Sequence, residues 1–303
     1  MLKTNICLLC VLAIFGSARF VHAQTPTLSV REVGTFSYST PPYVLSMVGG
    51  INDGGTIVGS LDDADLLSGF IRDSSGIFTA PLVDPVENEL DTVPTAINNG
   101  STICGWYYTS DTGYHGFFYT NGAYTNYDPP EGSSAHLMGI NDAGDFVGFY
   151  AGTDGSTLGF IVVNGQFSQI AVPGASSTLC FGINNLDQAV GAYVVGQGRR
   201  ATGHGFMRAA DGTLTYPLDF TGASYTTPAA INDAGQIVGS WTNRQGTHGF
   251  VLQLPDTFVG FDVGRSQGSG TELTGINNLG KISGSFFGRD NVTHGLIARL
   301  TTQ

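Results

Sequence analysis

Apolar side chains recur along this chain with a period of two. Past residue 55 they read Ile57, Gly59, Leu61 on one parity and Thr56, Val58, Ser60 on the other, and Ile237, Gly239, Trp241 against Gln236, Val238, Ser240 repeat the arrangement. Successive residues of an extended strand point to opposite faces, so this alternation predicts strands. No window sustains a 3.6-residue period over three turns, and the expected fold class is all-β.

The strands are punctuated by one recurring phrase. Its six copies begin at Ile51-Asn52-Asp53, Ile97-Asn98-Asn99, Ile140-Asn141-Asp142, Ile183-Asn184-Asn185, Ile231-Asn232-Asp233 and Ile276-Asn277-Asn278, at steps of 46, 43, 43, 48 and 45 residues. Seven residues after each repeat Asn stands a glycine (Gly59, Gly105, Gly148, Gly191, Gly239, Gly284), and two further on a large side chain (Leu61, Tyr107, Tyr150, Tyr193, Trp241, Phe286). A period in this range marks a supersecondary unit that buries its apolar face only by stacking on its neighbours.

The phrase reads as a tight turn. Asn at its first position can hydrogen-bond the backbone just ahead, and Gly at its fourth accepts the left-handed conformation of a bulged hairpin. Gly55, Gly144, Gly235 and Gly280 fit, Asp187 replaces Gly in the fourth copy, and in the second Gly100 comes one step early, which predicts a different turn there. A second signal opens another strand: Ser68-Gly69-Phe70, His115-Gly116-Phe117, Leu158-Gly159-Phe160, His204-Gly205-Phe206, His248-Gly249-Phe250 and His294-Gly295-Leu296. A third strand follows, and a fourth carries the next Ile-Asn. Four short strands in about 45 residues is the proportion of a propeller blade. The last copy ends after its second strand, while residues 28–40 contain an unmatched strand that resembles a third. The expectation is a six-bladed β-propeller over residues 24–303, closed by that N-terminal strand. An open β-solenoid would need polar capping repeats, and none is evident.

Composition adds a location. Lys3 precedes the ten-residue apolar run Ile6–Phe15, and Val21-His22-Ala23 has the small-x-small form of a signal-peptidase site, so residues 1–23 read as a signal peptide. Their removal takes Lys3 and Arg19 and no acid, moving the net charge from −12 to −14 and leaving Lys281 as the only lysine. Such an acidic chain repels phosphate backbones and anionic lipid, which argues against nucleic-acid partners, and no later segment is apolar enough for membrane insertion. Two cysteines then remain, Cys104 and Cys180, and because a whole repeat separates theirs, two buried thiols are expected rather than a disulfide.

The repeats also resemble a known family. Six copies of Gly/Ala-Ile-Asn-Asn/Asp-x-Gly followed by His-Gly-Phe look like the HAF repeats of bacterial extracellular proteins, with Gly in place of the core Ala throughout and two copies lacking the His. The resemblance covers residue 50 to about 300 and implies export and repetition. It carries no activity.

Candidate chemistry is sparse. His115, His204, His248 and His294 could hold a metal if a ring aimed them at one axis, but recurrence at a repeat position points instead to a bond each unit makes for itself, such as an imidazole N–H to a neighbouring carbonyl. Gly264-Arg265-Ser266-Gln267-Gly268 matches a hydrolase elbow without the helix that elbow requires. The acidic runs Asp62, Asp63, Asp65 and Glu87, Glu89, Asp91 read as solvated loops, although three carboxyls on one strand face would suit a glycosidase. Arg199 and Arg200 fall in an insertion that reads as an exposed hairpin tip. No catalytic, metal or cofactor residue is assigned. Trp106, Tyr108 and Phe149, on the parity opposite to the repeated large position, are the candidate binding residues. The reading is a secreted, non-enzymatic repeat protein, expected to be monomeric, that binds an extracellular protein or glycan; the alternative is a polysaccharide-active propeller hydrolase or lyase. Whatever is recognised should lie where the six copies disagree.

Overall fold

The computed structural model describes residues 28–38, 40–83, 91–264 and 268–302. The signal-peptide expectation for residues 1–23 lies outside them. Among the described residues the strands arrange as six units of four antiparallel strands. Unit 2 shows the plan: an inner strand Thr92–Ile97, the repeat turn, then Ile103–Thr109, Gly113–Thr120 and Ala123–Tyr127 in order outward. Sequence repeat and structural unit are therefore offset by one strand, since the strand that ends in Ile-Asn opens a unit. The inner strands are Val44–Ile51, Thr92–Ile97, Ser133–Ile140, Ser177–Ile183, Tyr225–Ile231 and Gly268–Ile276. Single parallel bridges, Thr157 to Ser177 and Gly203 to Tyr225, link units 3, 4 and 5 into one twelve-stranded sheet. Unit 6 obtains its outermost strand from the other end of the chain, Leu28–Phe36 pairing antiparallel with Thr293–Thr302.

All six turns share one conformation. The backbone N–H four residues after each repeat Asn donates to that Asn's Oδ1, at 2.8 to 3.0 Å. The N–H at the fourth turn position donates to the Asn carbonyl. The second turn does not differ, contrary to expectation. Ser101 adopts φ +62° where the other copies have Gly or Asp187 at φ +55°, and Gly100 is not left-handed. The hydrogen bonds that close the turn outweigh the cost of a left-handed serine.

The same asparagines join the units. While Oδ1 closes its own turn, Nδ2 donates to the backbone carbonyl of the next unit's Asn: Asn52 to Asn98 at 3.3 Å, Asn98 to Asn141 at 3.0 Å, Asn141 to Asn184 at 3.2 Å, Asn184 to Asn232 at 3.1 Å and Asn232 to Asn277 at 3.1 Å. The sequence returns on itself, because Asn277 Nδ2 donates to Asn52 O at 2.9 Å. A second circuit runs through the following residue, which alternates Asp53, Asn99, Asp142, Asn185, Asp233, Asn278. Each backbone N–H donates to the side-chain Oδ1 of the next member at 2.8 to 2.9 Å, again including Asn278 N–H to Asp53. Asn99 Nδ2 also donates to Asp53 and Asp142, and Asn185 Nδ2 to Asp142 and Asp233. Among the described residues no backbone ladder joins unit 6 to unit 1; these side chains do, together with Ser283 Oγ donating to Gly49 O at 2.8 Å and the packing of Phe36 and Ile297 on unit 1.

The apolar core lies between units. Six clusters form, each drawing on two neighbouring units, as when Val147 and Ile161 of unit 3 meet Cys180, Tyr193 and Phe206 of unit 4. For this reason the second strand is buried on both faces: Ile57, Val58, Ser60 and Leu61 are all sealed, where alternation alone suggested one face. The repeated Gly after the turn has a steric cause. A Cβ at Gly105 would lie 2.2 Å from Val93 O and 2.8 Å from the Phe117 ring, and Gly148 and Phe160 repeat the arrangement. Gly of the first signal and Phe of the second thus face each other across adjacent strands.

Replacing Ser101 by Gly relieves the left-handed serine without touching a contact, and should raise stability by about 1 kcal/mol, or about 2 °C in melting temperature. An unchanged or lowered melting temperature would refute the shared turn. Deleting the N-terminal arm through Thr40 removes the strand that completes unit 6 and the Phe36 that packs on unit 1. Calorimetry should show a fall of many degrees; a melting curve like that of the intact chain would mean the strand is dispensable.

Candidate functional site

Three cavities follow one another along the axis. At the turn end, about 70 Å³ is lined by the six Ile-Asn-Asn/Asp triplets. The middle, also about 70 Å³, is lined by the repeat isoleucines and the small residues before them, including Gly50, Ala96, Gly139, Gly182, Ala230 and Gly275. Small residues are obligatory there because inner strands approach closely, and a Cβ on Gly182 would come within 2.8 Å of Ala230 Cα. The far end opens into about 180 Å³, and there the copies stop agreeing.

Four residues before the repeat Ile the six units carry Met47, Val93, His136, Leu179, Thr227 and Glu272; two before it, Gly49, Thr95, Met138, Phe181, Ala229 and Thr274. Directly after the repeat Gly stand Ser60, Trp106, Phe149, Ala192, Ser240 and Ser285. Large aromatics therefore gather on units 2 to 4, and the rest carry small or hydroxyl side chains together with Met47 and Glu272. Met47, Met138, Phe181, Thr227, Ser240 and Glu272 line the wide end. Glu272 keeps part of its side chain exposed, yet the surrounding protein removes enough water to raise its pKa above the usual carboxylate value.

The three aromatic candidates come together. Tyr108 lies 5.0 Å from Tyr114 and Trp106 5.5 Å from it, ring centre to ring centre. Tyr114 lies 4.6 Å from His136, which stacks on Phe149 at 4.6 Å, and Phe149 meets Phe181 edge-on at 6.3 Å. The result is a half-buried row across three units that ends at the widest of the three axial cavities, which Phe181 lines. Burial lowers the pKa of His136, holding it as a neutral, stackable imidazole at neutral pH. His136, Tyr114, Phe181 and Glu272 were not singled out in the sequence. Aligning the copies on their Ile would have exposed His136 and Glu272 as unlike their counterparts.

The four repeat histidines stay in separate units, each held by an acid rather than the expected carbonyl. His115 Nδ1 lies 2.8 Å from Asp128, His204 Nδ1 2.7 Å from Asp219, His248 Nδ1 2.9 Å from Asp262 and His294 Nε2 2.9 Å from Asp290. Each ring also lies against the repeated aromatic, with Tyr107, Tyr193, Trp241 and Phe286 at 4.4 to 5.3 Å. Asp62 and Asp63 accept local backbone N–H groups of a tight loop, and Asp91 accepts Leu67 N–H at 2.8 Å. Glu87, Glu89 and Ser266 lie outside the described residues. Cys104 and Cys180 are free and buried in different inter-unit clusters, their thiol pKa values pushed up to about 12 by burial. The Arg200 insertion is an exposed tip with a short 3-10 turn over Gly198–Arg200.

No family model matches the chain, and no curated protein does. Solved structures resemble it in fold. Putative TolB from Agrobacterium tumefaciens superposes with a TM-score of 0.58 at 8% identity, covering 92% of this chain and 99% of that one. A mutant of AofleA from Arthrobotrys oligospora gives 0.54 at 13% identity over 92% and 90%. Virginiamycin B lyase from Staphylococcus aureus gives 0.51 at 12% identity over 91% and 99%. The chain is an all-β protein of the propeller type. Identities this low establish the fold alone. Among the described residues, no helix is long and apolar enough to cross a membrane.

Because the folded state raises the Glu272 pKa above its ordinary 4.5, ionisation opposes folding. The contribution of the neutral acid is complete below the unfolded value and is lost as pH rises through the folded one. Glu272→Gln should therefore raise the melting temperature slightly at pH 7 and leave it unchanged near pH 4, where both side chains are neutral. An equal effect at both pH values would contradict a raised pKa.

Proposed function

We propose that this chain is an exported six-bladed β-propeller, closed by its N-terminal strand, that acts without catalysis as a binding module for an extracellular glycan or protein. Six four-stranded units, six inter-unit cores and a circuit of side-chain hydrogen bonds that returns from Asn277 to Asn52 support the closed six-blade reading. The form of residues 1–23, the low charge content and the HAF-like repeat support export.

The aromatic row carries the binding assignment. Trp106 and Phe149, which share one repeat position, and Tyr114 and His136 have no aromatic counterpart in the remaining units, and they gather on one side of the widest axial cavity, whose other side bears hydroxyls and Glu272. Flat rings beside hydroxyls and one acid suit stacking on sugar faces or apolar side chains. Glu272 is the only carboxylate lining that cavity among the described residues, whereas glycoside hydrolysis ordinarily needs a pair. This favours binding over turnover.

A glycan array probed with the purified mature chain tests the assignment. A Trp106→Ala/Phe149→Ala variant should lose affinity for any ligand found by about tenfold or more, since each ring contributes on the order of 1 kcal/mol. Undiminished binding by that variant would remove the row from the site.

A further inference from the structure

The widest axial cavity, about 180 Å³, holds polar groups that the chain leaves unused. Thr227 and Ser240 lie opposite each other on the two inner strands of unit 5, and Glu272 takes in unit 6 the position that Thr227 takes in unit 5. All three line the cavity and none is sealed from solvent. Among the described residues, none of the three side chains makes a hydrogen bond or an ion pair within the chain, and no cationic side chain lines the wall. Met47, Met138 and Phe181, from units 1, 3 and 4, make much of the remaining wall apolar. Towards the turn end the axis narrows to about 70 Å³ between the repeat isoleucines and the small residues before them, which stops a group entering from the wide end. An unpaired carboxylate costs stability here, because the protein around Glu272 removes water from its charge and supplies no partner in return.

We propose that this cavity receives the lysine side chain of a protein partner, its ammonium held by Glu272, Thr227 and Ser240. An ammonium carries three donors and no acceptor, and the carboxylate and two hydroxyl oxygens offer it three acceptors on neighbouring strands. The methylene stem of the same side chain lies along Met47, Met138 and Phe181, whose thioethers and ring adapt to an aliphatic chain. A guanidinium, with five donors in a rigid plane, would leave some of them facing the apolar wall. Charge complementarity extends beyond the cavity, since a chain of net charge −12 draws a basic partner towards it. Phe181 also ends the aromatic row, so the residues flanking the inserted lysine meet Phe149, His136 and Trp106. The inference rests on the proposed binding function and names its ligand as a protein rather than a glycan.

The purified mature chain is titrated in a calorimeter with Nα-acetyl-lysine methylamide, with its norleucine, trimethyl-lysine and arginine analogues, and with methyl glucosaminide. The lysine compound should bind with a dissociation constant on the order of 1 mM. The norleucine analogue keeps the stem without the charge, and trimethyl-lysine keeps the charge without the donors; both, and the arginine analogue, should bind weaker by about tenfold or more. Glu272→Gln, its folding verified by melting temperature, should weaken the lysine compound by about tenfold or more. No saturable heat with that compound, a norleucine or arginine analogue bound as tightly, or an affinity unaltered in Glu272→Gln would overturn the proposal. So would tighter binding of the glucosaminide that the same variant abolishes, since the ligand would then be an amino sugar. Array binding lost in the Trp106→Ala/Phe149→Ala variant of a chain that ignores the lysine compound would remove this ligand and leave the binding function standing.

Discussion

One side chain, the first asparagine of each repeat, makes the two bonds on which the architecture rests. Its oxygen closes the turn of its own unit and its amide nitrogen reaches the carbonyl of the next. Glutamine would be too long, and aspartate could accept but not donate. Since the six residues are nearly sealed from water, each bond left unmade would strand a buried polar group. Turn formation and unit assembly are thereby coupled, so a unit whose turn is misformed also loses its link to its neighbour.

The second circuit obeys a charge rule. Six aspartates would crowd like charges around one axis, and six asparagines would leave amide protons seeking acceptors. Alternation of Asp and Asn gives amides carboxylates on either side and spreads three negative charges evenly. An alternating circuit closes only over an even number of members, so this pattern is itself consistent with six units and would be broken by adding or losing one. Similar economy governs the strands. Gly beside the bulge and Phe beside Gly recur because the ring of one occupies the space that the other vacates, and the small residues before each Ile let inner strands meet at the axis.

With the turn end fixed by repeated residues, variation is free at the opposite end. There the units carry methionine, threonine, histidine or glutamate at one position, and glycine through phenylalanine at another. The aromatic row and Glu272 are both departures from the repeat.

Much was legible in the chain itself. Period-two alternation gave the strands, the spacing of Ile-Asn gave the units, and the missing last strand of the sixth copy pointed to the pairing of Leu28–Phe36 with the C-terminal strand. These are local or periodic properties, and sequence records them directly. Alternation could not show that the second strand is buried on both faces, because that depends on a neighbouring unit covering each side. Nor could it show that Ser101 takes the left-handed turn, a choice enforced by hydrogen bonds from other residues. Trp106, Tyr108 and Phe149 were readable as candidates by parity. That they meet through Tyr114 and His136 follows from contacts between side chains far apart in the chain or carried by different units. Only the tertiary structure decides such contacts, because they are set by how the units stack around the axis.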